Sequence, residues 1–374
     1  MLARFMESHR VLRWLFFGSP WMSGPVAFRR AQPARRRANA VYLAALLTLL
    51  AACSSEPRDL RLEGRTMGTS WHVTVPGGAA AESALTAGIE SELEAINDSM
   101  STWREDSEIS RFNRLPPGEA MTISPRFAAV LAGALAIGDA SAGAYDVTVG
   151  PLVDLWGFGP DGPGKGIPAA ASLAETRARV GQKKLDWDPE ARRLAKRGPV
   201  ALDFSSIAKG YAVDRVAELL AGRGFADYLV EIGGEMRVAG RSPRGDAWRV
   251  AVERPEAGGR SIARGLALFD AGIATSGDYR NFFTVNGVRY SHMIDPRTGT
   301  PVTHDVVSVT VIHESCMLAD GWATALAVLG REAALRVATE AGLAVYLLAR
   351  QGEGFREYNT PAFAPYLADE TGQG

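Results

Sequence analysis

Between residues 61 and 75 apolar and polar positions alternate around Met67-Gly68-Thr69, a period of two that predicts a strand. The period then lengthens. Leu85, Ile89, Leu93 and Ile96 recur every three or four residues and predict a helix over 81–99. Ser124-Pro125, a capping residue followed by proline at the first helical position, opens another helix that runs to residue 140. Gly, Pro and Asp crowd 157–171, which predicts a turn-rich surface loop suited to insertions. Beyond it the pattern predicts strands at 228–232, 248–253, 272–275 and 306–313, and helices near 206–221, 318–329 and 331–341. Gly342 closes the last helix ahead of a continuously apolar strand over 343–349. Strands and helices alternate at hairpin-like spacings, so the chain predicts an α+β fold of mostly antiparallel sheets and packed helices rather than a ladder of parallel units.

The N-terminal stretch obeys a different pattern. Arg35-Arg36-Arg37 precedes an apolar run of 13 residues at 40–52. A spanning helix needs about 20 such residues, so a short run behind a basic stretch reads as the core of a signal peptide. It ends in Leu50-Ala51-Ala52-Cys53, which resembles the lipobox of bacterial lipoproteins. That resemblance implies cleavage before Cys53, lipidation of Cys53, and a polar tether starting with Ser54-Ser55-Glu56-Pro57. The expected organisation is a signal peptide over 1–52, a tether over 53–60 and a folded domain over 61–374. The expected location is the bacterial cell envelope, with a lipid anchor in the inner membrane (periplasmic face) or the outer membrane. With Cys53 committed to lipid, Cys316 is the remaining thiol of the 2 Cys, which excludes an intramolecular disulfide and a Cys-based metal site.

Charge sharpens the division. Over 374 residues, 41 Lys and Arg nearly cancel 42 Asp and Glu, but residues 1–52 hold 8 of the basic residues and only 1 acid. The remainder has 33 basic against 41 acidic residues, a net of −8. Such an acidic body, in a chain 47% hydrophobic, excludes wholesale disorder and a generic basic nucleic-acid binder, so no nucleic-acid partner is expected.

Three clusters carry candidate chemistry. In Asp203-Phe204-Ser205-Ser206-Ile207-Ala208-Lys209-Gly210-Tyr211, the stripe Ile207, Tyr211, Val216, Leu220 puts Ser205 or Ser206 at a helix N-terminus with Lys209 alongside. That suits an anion, phosphate above all, although Asp and Ser cap ordinary helices as well. In Leu318-Ala319-Asp320-Gly321-Trp322-Ala323-Thr324, Asp320 and Thr324 stand at i and i+4, where their oxygens can share a hard cation such as Mg²⁺ or Ca²⁺. The alternative makes Asp320 a cap and Thr324 a core hydroxyl. The third cluster, Tyr290-Ser291-His292-Met293-Ile294-Asp295-Pro296-Arg297-Thr298-Gly299, offers His292 as a base or as a structural imidazole. Gly-rich pieces at 231–235 and 274–278 predict strand ends where backbone approaches something flat or charged.

Taken in order, Met67-Gly-Thr69, Met100-Ser-Thr-Trp103, Tyr145-Asp-Val147, Asp203 to Gly210, Gly233-Gly-Glu235, Thr275-Ser-Gly277, His292 to Gly299 and Ala319 to Leu326 resemble the ApbE family. Its members are Mg²⁺-dependent FAD:protein FMN transferases, and the resemblance spans roughly residues 60 to 350. It implies a single two-lobed domain with the flavin in a cleft, and an enzyme that moves FMN from FAD to a Thr or Ser hydroxyl of a target protein, releasing AMP. It implies that Met67, Trp103, Tyr145, Asp146, Val147, Asp203, Lys209 and Ile294 surround FAD, that Ser206, Asp320 and Thr324 hold Mg²⁺, and that His292 is the catalytic base. Some members carry Asp where this chain has Ala323. The acceptors it implies are subunits of NADH:quinone reductase or Rnf-type redox complexes, which a lipid anchor would help the enzyme meet. An FAD pyrophosphatase and a non-catalytic flavin-binding lipoprotein are the rival readings.

Overall fold

The computed structural model describes residues 58–159, 166–255, 261–277, 281–352 and 354–367. The expected signal peptide, Cys53 and most of the tether lie outside the described residues, as do 160–165 of the turn-rich loop.

In chain order the main elements are strands β1 (Leu60–Thr66) and β2 (Thr69–Val75), helices α1 (Glu82–Met100) and α2 (Glu108–Arg114), strand β3 (Ala120–Thr122), and helices α3 (Pro125–Ala140), α4 (Gly150–Leu155) and α5 (Ala170–Arg177). Strands β4 (Leu185–Asp188) and β5 (Arg193–Lys196) then precede helix α6 (Ala208–Gly222). Strands β6 (Tyr228–Ile232), β7 (Glu235–Ala239), β8 (Trp248–Arg254), β9 (Ser261–Leu268) and β10 (Ala271–Gly277) follow. The rest comprises β11 (Phe282–Val285), β12 (Val288–Ser291), β13 (Ile294–Asp295), β14 (Thr300–Pro301), β15 (Val306–His313), helices α7 (Cys316–Leu329) and α8 (Arg331–Glu340), and strands β16 (Ala344–Gln351) and β17 (Gly354–Asn359).

Eight strands form one sheet in the order β1-β2-β6-β7-β10-β15-β16-β17, with every neighbouring pair antiparallel. The expected α+β class with antiparallel pairing is what the chain adopts. Both faces of the sheet are covered. Along β16, Val345, Leu347 and Ala349 enter the core under the helices, while Ala344, Tyr346 and Leu348 enter a second core built with the β8–β9 hairpin and Phe363. That two-sided burial is why 343–349 reads as continuously apolar. A smaller sheet, β3-β5-β4, stands apart. Among the described residues no helix is long and apolar enough to cross a membrane.

The predicted strand over 61–75 is a hairpin instead. Met67 (φ 48°) and Gly68 (φ 74°) make a two-residue reversal, and the buried positions switch from Leu60, Leu62 and Thr66 to Trp71, Val73 and Val75 across it. A two-residue turn with positive φ matches the twist of antiparallel strands, and such a turn flips the phase of alternation. Ser124 caps α3 as its sequence predicts, accepting from Phe127 N at 3.2 Å. Helix α6 starts two residues later than expected, at Ala208, and the α7 cap is Ser315, which accepts from Leu318 N at 3.2 Å. Asp320 is therefore not a cap.

Candidate active site

The site is built where α6 meets α7. Helices can come this close only where one side chain is missing: a Cβ on Gly210 would stand 2.7 Å from the Cys316 carbonyl carbon and 2.8 Å from Asp320 Cβ. The Gly210 N–H donates to Asp320 Oδ2 at 3.0 Å and fixes the carboxylate beside Lys209. From the other side, a Cβ on Gly272 of β10 would stand 2.6 Å from Cys316 N. The start of α7 is thus gripped between two glycines, and Asp214 of α6 secures it further by accepting from Cys316 N and Met317 N, both at 3.0 Å.

Lys209 Nζ pairs with Glu235 Oε1 at 2.5 Å. Burial alone would discharge this ammonium, but Asp320 and Glu235 together hold it protonated. Two carboxylates share that one cation, so neither is fully compensated. Burial pushes the Glu235 carboxyl up to about 7 against the pull of Lys209, and Asp320 adds to the rise. Asp320 is likewise raised by burial, against Lys209 and the Gly210 N–H.

Hydroxyls supply the remaining oxygens. Ser206 Oγ donates to Tyr145 Oη at 3.0 Å, and Thr324 Oγ1 lies 3.0 Å from Ser276 Oγ. Asp203 Oδ1 accepts from Ser205 N at 2.7 Å, shaping the turn that leads into α6. Across the cleft, His292 follows the β11–β12 hairpin, and its Nδ1 lies 3.0 Å from the Asn281 carbonyl oxygen. A carbonyl only accepts, so the hydrogen of that contact lies on Nδ1.

These groups line a cavity of about 490 Å³ that contains Trp103, Tyr145, Asp146, Asp203, Ser206, Lys209, His292, Ile294, Asp320 and Thr324. A second cavity of about 690 Å³ adjoins it, sharing Trp103, Asp203 and Lys209 and adding Met67. Met67 occupies a left-handed backbone conformation at the hairpin tip, a strain of the kind that collects at functional sites. Trp103 is 75% exposed between the two cavities, yet its neighbour Arg104 forks onto Glu94 at 2.8 and 2.9 Å and anchors that loop to α1. Of the residues expected to surround the flavin, Val147 stays out: its side chain is in the core, and its carbonyl accepts from Asp203 N at 2.7 Å. Asp146 lines the cavity, but its oxygens also accept from Thr148 N at 2.8 Å and Gln182 N at 2.9 Å, which makes it a loop anchor. Ala323 is fully buried in the core.

Residues 67–347 match the model of the ApbE family. The chain belongs to that family. It is 44% identical over 331 residues to an FAD:protein FMN transferase of Vibrio cholerae, covering 88% of this chain and 98% of that one. It is also 44% identical over 331 residues to the Haemophilus influenzae protein of the same name, covering 86% and 96%. The fold superposes on the flavin transferase ApbE of Vibrio cholerae with a TM-score of 0.77 at 42% identity, covering 83% of this chain and 99% of that one. The apo flavinyl transferase ApbE of Pseudomonas stutzeri gives 0.77 at 40%, covering 83% and 98%.

Within this ApbE fold, three cleft residues escaped assignment from the sequence. Glu235 and Ser276 sit in Gly-rich strand ends that were legible only as close backbone approaches. Asn281 stands alone before the β11–β12 hairpin, and nothing in its surroundings marks it.

Proposed function

We propose that this chain transfers FMN from FAD to a Thr or Ser hydroxyl of a target protein and releases AMP. The observation that carries the reading is the convergence, in one cleft, of a buried carboxylate with two hydroxyls (Asp320, Ser206, Thr324), a clamped ammonium (Lys209) and an imidazole whose Nδ1 is already committed (His292).

In this reading the target hydroxyl oxygen attacks the riboflavin-side phosphorus, and the pyrophosphate bond to the adenylate oxygen breaks. His292 accepts the hydroxyl proton. Lys209 pairs with phosphate oxygens, and the exposed Trp103 indole offers a stacking face for a planar ring. Asp320, Thr324 and Ser206 fit Mg²⁺ by the chemistry of their donors: hard oxygens only, with one carboxylate, which leaves room for the phosphates and waters that Mg²⁺ keeps. Among the described residues no group of three or more His, Cys, Asp and Glu competes for a metal. When bound, Mg²⁺ supplies neutralisation of charge on the pyrophosphate.

The same reading places the mature chain on a lipid at Cys53, in the cell envelope, within reach of a membrane-bound acceptor such as a subunit of an NADH:quinone reductase or Rnf-type complex. The short apolar run and the Leu50-Ala51-Ala52-Cys53 sequence support that anchor.

The test is incubation with FAD, Mg²⁺ and a candidate acceptor, followed by mass spectrometry of the acceptor and assay of AMP. An FMN-sized adduct formed with stoichiometric AMP is expected. AMP without adduct identifies a pyrophosphatase, and tight FAD binding without AMP identifies a carrier; either result overturns the proposal.

A further inference from the structure

Two buried carboxylates outside the cleft, Asp214 and Glu108, use both oxygens. Asp214 accepts at Oδ1 from Arg237 Nη1 (2.7 Å) and Cys316 N (3.0 Å), and at Oδ2 from Ser315 Oγ (2.7 Å) and Met317 N (3.0 Å). Glu108 accepts at Oε1 from Ser124 N (2.5 Å), and at Oε2 from Ser99 Oγ (2.7 Å) and Ser124 Oγ (2.6 Å). Both pin elements together, as structural carboxylates do.

Glu235 differs. Its side chain is 5% exposed, its Oε1 holds Lys209 Nζ at 2.5 Å, and its Oε2 is buried with no hydrogen-bond partner. Leaving an acceptor buried and unsatisfied is costly, and an isolated carboxylate more so. A group retained on those terms calls for an explanation other than packing. The backbone around it is shaped for the same contact. Gly233 (φ 63°) and Gly234 (φ 108°) turn β6 into β7 so tightly that a Cβ on Gly233 would stand 2.8 Å from Thr69 Cγ2 and 3.4 Å from Lys209 Cδ. The Lys209 stem therefore runs against the bare turn, and its head is caught at the first residue beyond it.

We propose that Glu235 is a positioning residue for Lys209: it holds the ammonium at the cleft wall beside Asp320 and acts on FAD through that ammonium alone. This inference rests on the assignment of FAD as the substrate of the cleft. Without Glu235 the flexible lysine stem is free to swing toward solvent or collapse onto Asp320. In either case it is withdrawn from the phosphates.

A double-mutant cycle on the full chain tests it, with FAD affinity read by flavin fluorescence in EDTA so that no turnover intervenes. Glu235→Met, which keeps volume and removes the acceptor, is expected to weaken FAD about tenfold, the order of one charge-assisted hydrogen bond. Glu235→Gln, which restores an acceptor at the same reach, is expected to recover to within about threefold of the parent. Combining Glu235→Met with Lys209→Met should bind FAD no more weakly than Lys209→Met alone. The proposal is overturned if Glu235→Met costs as much in the Lys209→Met background as in the parent, or if it lowers thermal stability while leaving FAD affinity untouched. Should Glu235→Met fail to fold, Glu235→Asp takes its place in the cycle, since it withdraws the carboxylate by one methylene and should show a smaller loss that Lys209→Met abolishes. Failure of the transferase reading is separable: a parent that binds FAD but never modifies an acceptor refutes transfer and leaves the cycle decisive.

Discussion

Gly210→Ala isolates the helix contact on which the candidate metal carboxylate depends. The added methyl would lie 2.7 Å from the Cys316 carbonyl carbon and 2.8 Å from Asp320 Cβ, where ordinary van der Waals contact begins near 3.4 Å. Relief requires a displacement approaching 1 Å. Helix α7 cannot supply it by retreating, because Gly272 already brings β10 against Cys316 N on the opposite side. The shift therefore falls on Asp320 and on the Gly210 N–H that holds it. Overpacking costs about 1–3 kcal/mol, and replacing a helical glycine by alanine returns about 1 kcal/mol, so the protein should remain folded with a melting temperature lowered by a few degrees. Activity should respond more strongly, since a misplacement of about 1 Å can cost about 10²-fold. The assay is acceptor-dependent AMP release against Mg²⁺ concentration, with Gly222→Ala as control: it lies in the same helix, and its methyl would meet nothing within 4 Å. The control should match the parent. If Gly210→Ala also keeps the parent rate and the parent Mg²⁺ dependence, the helix contact does not set the position of Asp320 and the argument fails.

Other outcomes are equally open to measurement. His292→Ala should lower FMN transfer by about 10²–10⁴-fold with FAD affinity nearly unchanged; a loss confined to FAD binding would make His292 a prop for the ring. Asp320→Asn should abolish the Mg²⁺ dependence of AMP release while preserving FAD binding in EDTA, and undiminished turnover at low Mg²⁺ would remove Asp320 from the metal site. Trp103→Ala should weaken FAD by about tenfold or more, from the loss of stacking, without changing thermal stability, because the indole is 75% exposed. Glu235 protonates at about 7 in the fold against 4.5 in the unfolded chain. Between those values the native state binds more protons, so this group's contribution to stability diminishes as pH rises. Melting curves of Glu235→Gln should accordingly gain on the parent from pH 4.5 to 8, and a gap that stays constant or closes would contradict the burial argument.

What could be read in advance was whatever obeys a local period. Strands β6 and β15 begin and end where their apolar patterns do, and the Ser124-Pro125 start of α3 carries its own capping chemistry. The Met67-Gly68 reversal was hidden because alternation continues on either side and Met is an unusual residue at positive φ. Strands β3, β4 and β5 were hidden because three or four residues, some of them charged at Arg193 and Lys196, set no period. At the site, residue types were legible but partners were not. Ser206 was placed beside a helix start, while its hydroxyl bond to Tyr145 crosses 61 residues of sequence. Glu235 reads as no more than a Gly-rich strand end because its partner Lys209 belongs to another element.

The bond from Gly210 to Asp320 closes 110 residues of chain, and those from Asp214 to the start of α7 close 101 to 103. Contacts of that span form only after the entropy of closing a long loop has been met, so they arrive late in folding. A fragment that stops before residue 316 lacks Asp320 and Thr324, and with them one wall of the pocket. FAD therefore recognises the finished fold and not its precursors, and by mass action it stabilises what it recognises, by about 2.7 kcal/mol at a hundred times its dissociation constant. In a cell the flavin supply would then help to set how long each molecule of the enzyme survives.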